Sequence, residues 1–137
     1  LAYNLLGQDV IACSVMDARC SQVYCAIFDV SQNCVTRLTD DEALKIDELK
    51  EKLSRYGKRI VFVGDGAELC KSRVGYEVAP PLLRFQNAAS VGICAFRNFS
   101  KDKLISASEL MPTYLRLPQA ERELKAKINN KAKENLQ

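Results

Sequence analysis

The chain has 137 residues, of which 47% are hydrophobic, and its 20 basic and 17 acidic residues give a formal net charge of +3. This length is enough for one domain with a substantial core and too short for two. The small positive charge lacks the strong basic excess that is typical of nucleic-acid-binding proteins.

Histidine is absent from the sequence. This absence removes the commonest metal ligand and the commonest general base, and it excludes zincin motifs, Ser-His-Asp triads and Cys-His pairs formed within this chain. No apolar run approaches the roughly 20 residues that cross a bilayer, and no secretory-signal pattern is present. We therefore expect a cytoplasmic protein that does not contact a membrane.

The six cysteines form no CxxC motif, and most of them lie inside apolar runs. Free cysteine behaves as a small buried hydrophobic residue, and a reducing cytoplasm disfavours disulfides, so we interpret them as free thiols. The chain begins with Leu1 rather than Met, and "LAYNLL" is typical of the end of an amphipathic helix. We expect this sequence to be the C-terminal part of a longer protein.

Three strands are predicted in the first forty residues: Val10–Asp17, Gln22–Asp29 and Cys34–Leu38. Short polar turns join them, which favours an antiparallel meander. Both alternating sets of side chains in the second strand are apolar, so helices should cover both faces of the sheet.

A helix is predicted next. Thr39 and Glu42 have the spacing of a capping box, and Gly57 is placed to end the helix. An apolar stripe with helical spacing lies between them: Ile46, Leu49, Leu53 and Tyr56.

The second half of the chain alternates strands and helices. A buried strand Ile60–Val63 is followed by a tight turn and a short helix to about Arg73. A short strand in "GYEVAPP" precedes a helix from Arg84 to Phe99, whose small residues favour a close-packed core helix. From about Gln119 a highly charged helix is predicted, whose basic residues either face solvent or contact a partner or RNA.

The order β-β-β-α-β-α-β-α predicts an α/β fold. It indicates an RNase H-like lobe with a mixed five-stranded sheet that has helices on both faces. Residues 1–116 would form this lobe, and residues 117–137 would form a charged helical tail.

Two turns are candidate sites. Asp17 and Arg19 flank the tip of the first hairpin, where they either face water as part of a turn or orient a docking edge. Gly64-Asp65-Gly66 joins a strand to a helix, where backbone N–H groups could hold a phosphate, although a plain turn with Asp65 as helix cap explains the same residues. The residues alone predict no catalytic set and no metal site.

Four segments, "MDARCSQVYCAIFD", "VFVGDGAE", "QNAASVGICA" and "MPTYLRLPQAERE", occur in the order and spacing of a known family. On these segments, the chain resembles the C-terminal half of the TsaB (YeaZ) family, up to about Glu123. The matching residues are Asp17, Ala18, Arg19, Val23 and Tyr24 in the hairpin, and Pro112, Tyr114 and Arg116 in the last segment. Cys20 and Gln22 depart from the family's charged hairpin motif.

The resemblance implies the second of two RNase H-like lobes in the ASKHA superfamily, with the first lobe missing. It implies a non-catalytic scaffold in threonylcarbamoylation of the tRNA adenosine next to the anticodon, acting with TsaD-like and TsaE-like proteins and contacting tRNA only indirectly. A homodimer through the missing lobe is a further expectation, and ATP or ADP is expected only in the full complex. An ASKHA-type nucleotide-binding lobe of an ATPase or kinase remains the alternative, and a glycoprotease-like peptidase is less favoured.

Overall fold

The computed structural model describes residues 1–99 and 105–116, together with Glu121 and Ile128. Within these residues a mixed sheet has helices on both faces, so the predicted fold class is confirmed. The chain order is a short 3-10 helix Ala2–Leu5, β1 Val10–Asp17, β2 Gln22–Val30, β3 Val35–Arg37, β4 Glu42–Lys45, α1 Ile46–Leu53, β5 Ile60–Val63, α2 Ala67–Val74, β6 Glu77–Val78, α3 Pro81–Arg84 and α4 Ala88–Phe99.

Strand β1 lies at the centre of the sheet. It pairs antiparallel with β2 and parallel with β5, and β6 continues the parallel side. On the other side, β3 and β4 pair one after the other with the two ends of β2. The described part of the chain therefore has a six-stranded sheet, one strand more than the sequence predicted.

The additional strand is β4, and it corrects the predicted start of the first helix. Glu42 pairs with Cys25 of β2 instead of lying in a capping box. The Thr39 hydroxyl oxygen accepts the backbone N–H of Ile27 at 3.0 Å. The edge of β2 has backbone groups that need hydrogen-bond partners, and residues 42–45 provide them by forming a strand. The local sequence pattern, which indicates a helix, contains no information about this pairing.

Helix α1 therefore begins at Ile46, where the Glu48 carboxylate accepts the N–H of Lys45 at 3.2 Å. It ends at Leu53, with Ser54 as its C-cap. Gly57 does not take the left-handed conformation expected of a residue that ends a helix, so that prediction was wrong.

Two apolar layers lie on opposite faces of the sheet. On the first face, α1 and α2 pack on alternate residues of β1, β2 and β5, with Phe62 at the centre of the cluster. On the second face, the 3-10 helix and α3 pack over Val10, Ala12, Val61 and Val63.

Helix α4 also lies on the second face, and polar contacts hold it there. The Ser90 hydroxyl and the Asn87 side-chain amide both donate to Asn4 Oδ1, at 2.5 Å and 2.8 Å. Arg97 donates to the Tyr3 hydroxyl at 3.2 Å.

These contacts correct the prediction of a close-packed core helix. The small residues Ala88, Gly92 and Ala95 are exposed, and a Cβ added at Gly92 would meet no atom within 4 Å. Val91 and Phe99 are 63% and 62% exposed. The predicted single helix is also broken before α4, because residues 85–87 are extended or irregular.

None of the helices in the described ranges has the length and apolar character of a membrane span. The predicted cytoplasmic location stays a prediction. The predicted tail, residues 117–137, lies outside the described residues except for Glu121 and Ile128.

Candidate functional site

The first hairpin turns through three consecutive left-handed residues. Arg19, Cys20 and Ser21 have φ angles of 64°, 53° and 58°. This region is uncommon for residues other than glycine, and each such residue raises the free energy of the folded chain. The Asp17 carboxylate accepts the N–H of Arg19 at 2.7 Å, so its side chain helps to fix this conformation.

The ion pair between Asp17 and Arg19 is weak. Its atoms are 3.8 Å apart, and the Arg19 side chain is 88% exposed. Such an exposed pair contributes little to stability. The main role of Asp17 in this structure is therefore to shape the turn.

Two further predicted site residues contact the hairpin. The Asp65 carboxylate accepts the N–H of Asp17 at 3.2 Å, and the Arg116 guanidinium donates to the carbonyl oxygen of Ala18. The structure thus brings together residues from three distant segments that the sequence analysis singled out separately.

The Gly64-Asp65-Gly66 turn lies directly against the end of β1. Gly64 has a φ of +121°, and a Cβ there would be 1.9 Å from the carbonyl oxygen of Val15. The N–H groups of Gly64 and Gly66 donate to the carbonyl oxygens of Arg84, at 2.8 Å, and Val15, at 3.3 Å. Close approach of the backbone explains both glycines, and neither N–H is free for a phosphate in this structure. Nucleotide binding at this turn stays a prediction.

The remaining residues of the family motif occupy different environments. Val23 is buried in the first-face core, whereas Tyr24 is half-buried on the second face. Pro112 and Tyr114 lie in an exposed, irregular segment, and Tyr114 is 85% exposed.

A cleft of about 1080 Å³ opens on the second face of the sheet. Its floor is formed by β1, β2 and β3, and its walls by the 3-10 helix, α4 and residues 113–116. The aromatic, polar and charged side chains that line it include Tyr3, Ser14, Tyr24, Phe28, Arg37, Asp41, Arg97 and Arg116.

Positive charge predominates in the cleft. Among the described residues that line it, Arg37, Arg97 and Arg116 are basic, and Asp41 supplies the one carboxylate. Arg37 lies 4.8 Å from the ring centroid of Phe28, and Arg97 lies 5.0 Å from that of Tyr3. The sequence analysis missed this cleft because its walls come from segments that are far apart along the chain. The only local signal was Ser14, a polar residue among the apolar residues on the second face of β1.

The buried cysteines are not suited to nucleophilic chemistry. Burial raises the pKa of Cys13, and it raises the pKa of Cys25 to about 11 and that of Cys70 to about 12. These thiols are therefore protonated at neutral pH, and the thiol is a poor nucleophile and metal ligand. In the described residues, no group of three or more His, Cys, Asp or Glu side chains is placed to hold a metal ion.

Comparison with known proteins identifies a similar fold. No protein-family model and no curated protein matches the chain. A solved structure, described as an uncharacterized protein with similarity to peptidase YEAZ from Pseudomonas aeruginosa, matches with a TM-score of 0.65 and 18% sequence identity. The match covers 84% of this chain and 53% of that one, so this chain spans about half the length of that protein. The chain therefore has a YeaZ-like fold.

Proposed function

We propose that this chain is the second lobe of a non-catalytic scaffold subunit for threonylcarbamoylation of tRNA adenosine. The subunit would act with TsaD-like and TsaE-like proteins, and it would contact tRNA only through them. The YeaZ-like fold supports this assignment, together with the hairpin and Pro-Thr-Tyr-Leu-Arg segments of the sequence.

The exposed apolar face of α4 carries the proposal. Val91 and Phe99 are each more than half exposed, and Leu82 of the preceding helix α3 is 94% exposed. Exposed apolar patches often mark surfaces that bind another protein. A scaffold needs such a surface. The match covers only 53% of the longer solved protein, so a protein with this fold can contain a further part of similar length.

The residues of this chain give less support to the catalytic alternatives. The sequence contains no histidine, and the buried thiols of Cys13, Cys25 and Cys70 are protonated at neutral pH, so none of these three is an activated nucleophile of the kind that peptidases use. The nucleotide-binding alternative depended on the Gly64–Gly66 turn, where the glycines have a packing explanation.

Reconstituted tRNA modification tests the proposal. The protein would be combined with its TsaD-like and TsaE-like partners, unmodified tRNA, and an enzyme that makes the activated threonylcarbamoyl donor from threonine, bicarbonate and ATP. The modified adenosine would be measured by mass spectrometry. We expect modification to require this protein. Equal modification when this protein alone is left out would overturn the proposal.

A surface variant makes the test specific to α4. Val91→Asp places a charge on the exposed face, and Lys71→Asp places the same charge on α2, on the opposite face of the sheet. We expect Val91→Asp to reduce modification by at least about tenfold, the effect of losing one well-packed contact residue. Lys71→Asp should leave it unchanged.

A further inference from the structure

The cleft on the second face has the size and enclosure of a small-molecule site. Its volume of about 1080 Å³ lies just above the range of ligand pockets, roughly 300–1000 Å³. The sheet closes it from below, and the 3-10 helix, α4 and residues 113–116 bound its sides. No residue in this cleft is needed for the docking surface on α4, so the inference is independent of the proposed function.

Charge in the cleft selects for an anion. The Asp41 carboxylate is paired with Arg37 at 2.9 Å. Arg97 and Arg116 have no carboxylate partner in the described ranges, and each of them uses a hydrogen bond to a neutral oxygen to fix its position. A guanidinium group has five N–H donors, so both retain donors for a ligand. Arginine at such a position favours carboxylate or phosphate.

Aromatic side chains in the cleft select for a flat ring. Tyr3, Tyr24 and Phe28 all line it, and two of these rings are already stacked against guanidinium groups. Such stacking holds the planar groups in fixed orientations and leaves a surface on which another planar group can pack. Aliphatic anions would make less use of this surface.

Ser14 supplies the strongest independent observation. Its hydroxyl oxygen is buried, and it has no hydrogen-bond partner among the described residues, although Ser14 is one of the residues on the floor of the cleft. Buried polar atoms nearly always have a partner, and each exception needs an explanation. Rotation of the Ser14 side chain toward the cleft would let a polar atom of a ligand lying on the floor provide the missing hydrogen bond.

We propose that this cleft binds a small organic anion that carries both a flat ring and a carboxylate or phosphate group. The ring lies against the aromatic side chains, the anion pairs with Arg97 and Arg116, and a polar atom of the ring bonds to Ser14. The chain's own C-terminal segment is a poor occupant, because residues 117–137 contain five basic and three acidic residues.

Calorimetric titration of the chain tests this proposal with two probes. AMP presents a ring with a phosphate, and 4-hydroxybenzoate presents a ring with a carboxylate, so together they distinguish the two sources of negative charge. Adenosine and inorganic phosphate, which each lack one half of AMP, serve as controls. We expect at least one ring anion to bind with a dissociation constant between about 1 μM and 1 mM, and the separate halves to bind at least about tenfold more weakly.

Variants locate the site. Arg97→Met keeps an apolar stem of similar length, and it should weaken binding about tenfold, as expected for one charge-assisted hydrogen bond. Arg73→Met makes the same change at an exposed position on α2 and should not affect binding. Ser14→Ala should weaken binding while raising the melting temperature of the free chain, because it removes a buried hydroxyl that lacks a partner.

Three results would overturn the proposal. One is no binding of either ring anion below about 1 mM. Another is binding of phosphate alone as tightly as AMP. The third is unchanged affinity in Arg97→Met, which would place the ligand outside the cleft.

Discussion

Gly64 lies where the turn after β5 passes closest to β1. A Cβ at this position would be 1.9 Å from the carbonyl oxygen of Val15, and the φ of +121° is unfavourable for any other residue. Gly92, in contrast, lies in α4, where an added Cβ would meet no atom within 4 Å.

These two positions give opposite predictions. Gly64→Ala should lower the free energy of unfolding by more than about 2 kcal/mol, because both backbone strain and a backbone clash oppose it. Gly92→Ala should raise it by about 0.5–1 kcal/mol, because alanine favours a helix. Urea denaturation measures both, and similar values for the two variants would contradict the observed close approach.

The cysteines give a second prediction at this scale. Cys20 and Cys34 are exposed, whereas Cys13, Cys25 and Cys70 are buried. With iodoacetamide at neutral pH, the exposed pair should be alkylated first, and the buried three only after denaturant is added. Mass spectrometry of peptides identifies the sites. Early alkylation of Cys13 would contradict its burial.

The raised thiol pKa values also predict the pH dependence of stability. A folded-state pKa above the ordinary value of 9.0 means that folding favours the protonated thiol. Its contribution is complete below pH 9 and is lost as the pH rises through the folded values of about 11 for Cys25 and about 12 for Cys70. Cys70→Ala should therefore show a smaller alkaline loss of stability than the unmodified chain, measured by denaturation at pH 8 and about pH 10.5.

At the scale of elements, the segment before α1 shows how far local patterns predict structure. The strands β1 and β2 were predicted almost to the residue, because their apolar runs have clear boundaries. The signal at Thr39 and Glu42 is also consistent with a helix start, and only pairing with β2 makes residues 42–45 a strand. Tertiary hydrogen bonds outweighed a local propensity here.

This assignment predicts the effect of Thr39→Val. The substitution keeps the shape of the side chain and leaves the N–H of Ile27 without its acceptor. It should therefore lower the free energy of unfolding by about 1–2 kcal/mol. Chemical denaturation measures this loss. Asp40→Ala, beside it and exposed, is the matched control and should change stability by less than about 0.5 kcal/mol. Equal effects of the two substitutions would contradict the hydrogen bond.

Helix α4 differs more from its sequence-based prediction than the segment before α1 does. Its small residues indicate close packing, but the residues that hold it are Ser90 and Arg97, which bond to the 3-10 helix. Polar contacts between segments about 90 residues apart leave no local signal in the sequence. For the same reason, the cleft below α4 could not be predicted, although its residues Tyr24 and Arg116 were identified individually.

At the scale of the whole molecule, one sheet separates two different environments. The first face is covered by α1 and α2 and forms the main core, which includes Phe62. The second face is covered only in part, and it carries both the cleft and the exposed surface of α4. The core on the first face therefore contributes most of the stability, and the surfaces of the proposed functions lie on the second face.

The proposed contact of α4 with a protein partner is tested most directly by measuring association of the protein with a TsaD-like protein. Sedimentation velocity would compare the unmodified protein with Val91→Asp and with Lys71→Asp. We predict that Val91→Asp weakens association at least about tenfold with an unchanged melting temperature, and that Lys71→Asp has no effect. Equal association of all three proteins would contradict the claim.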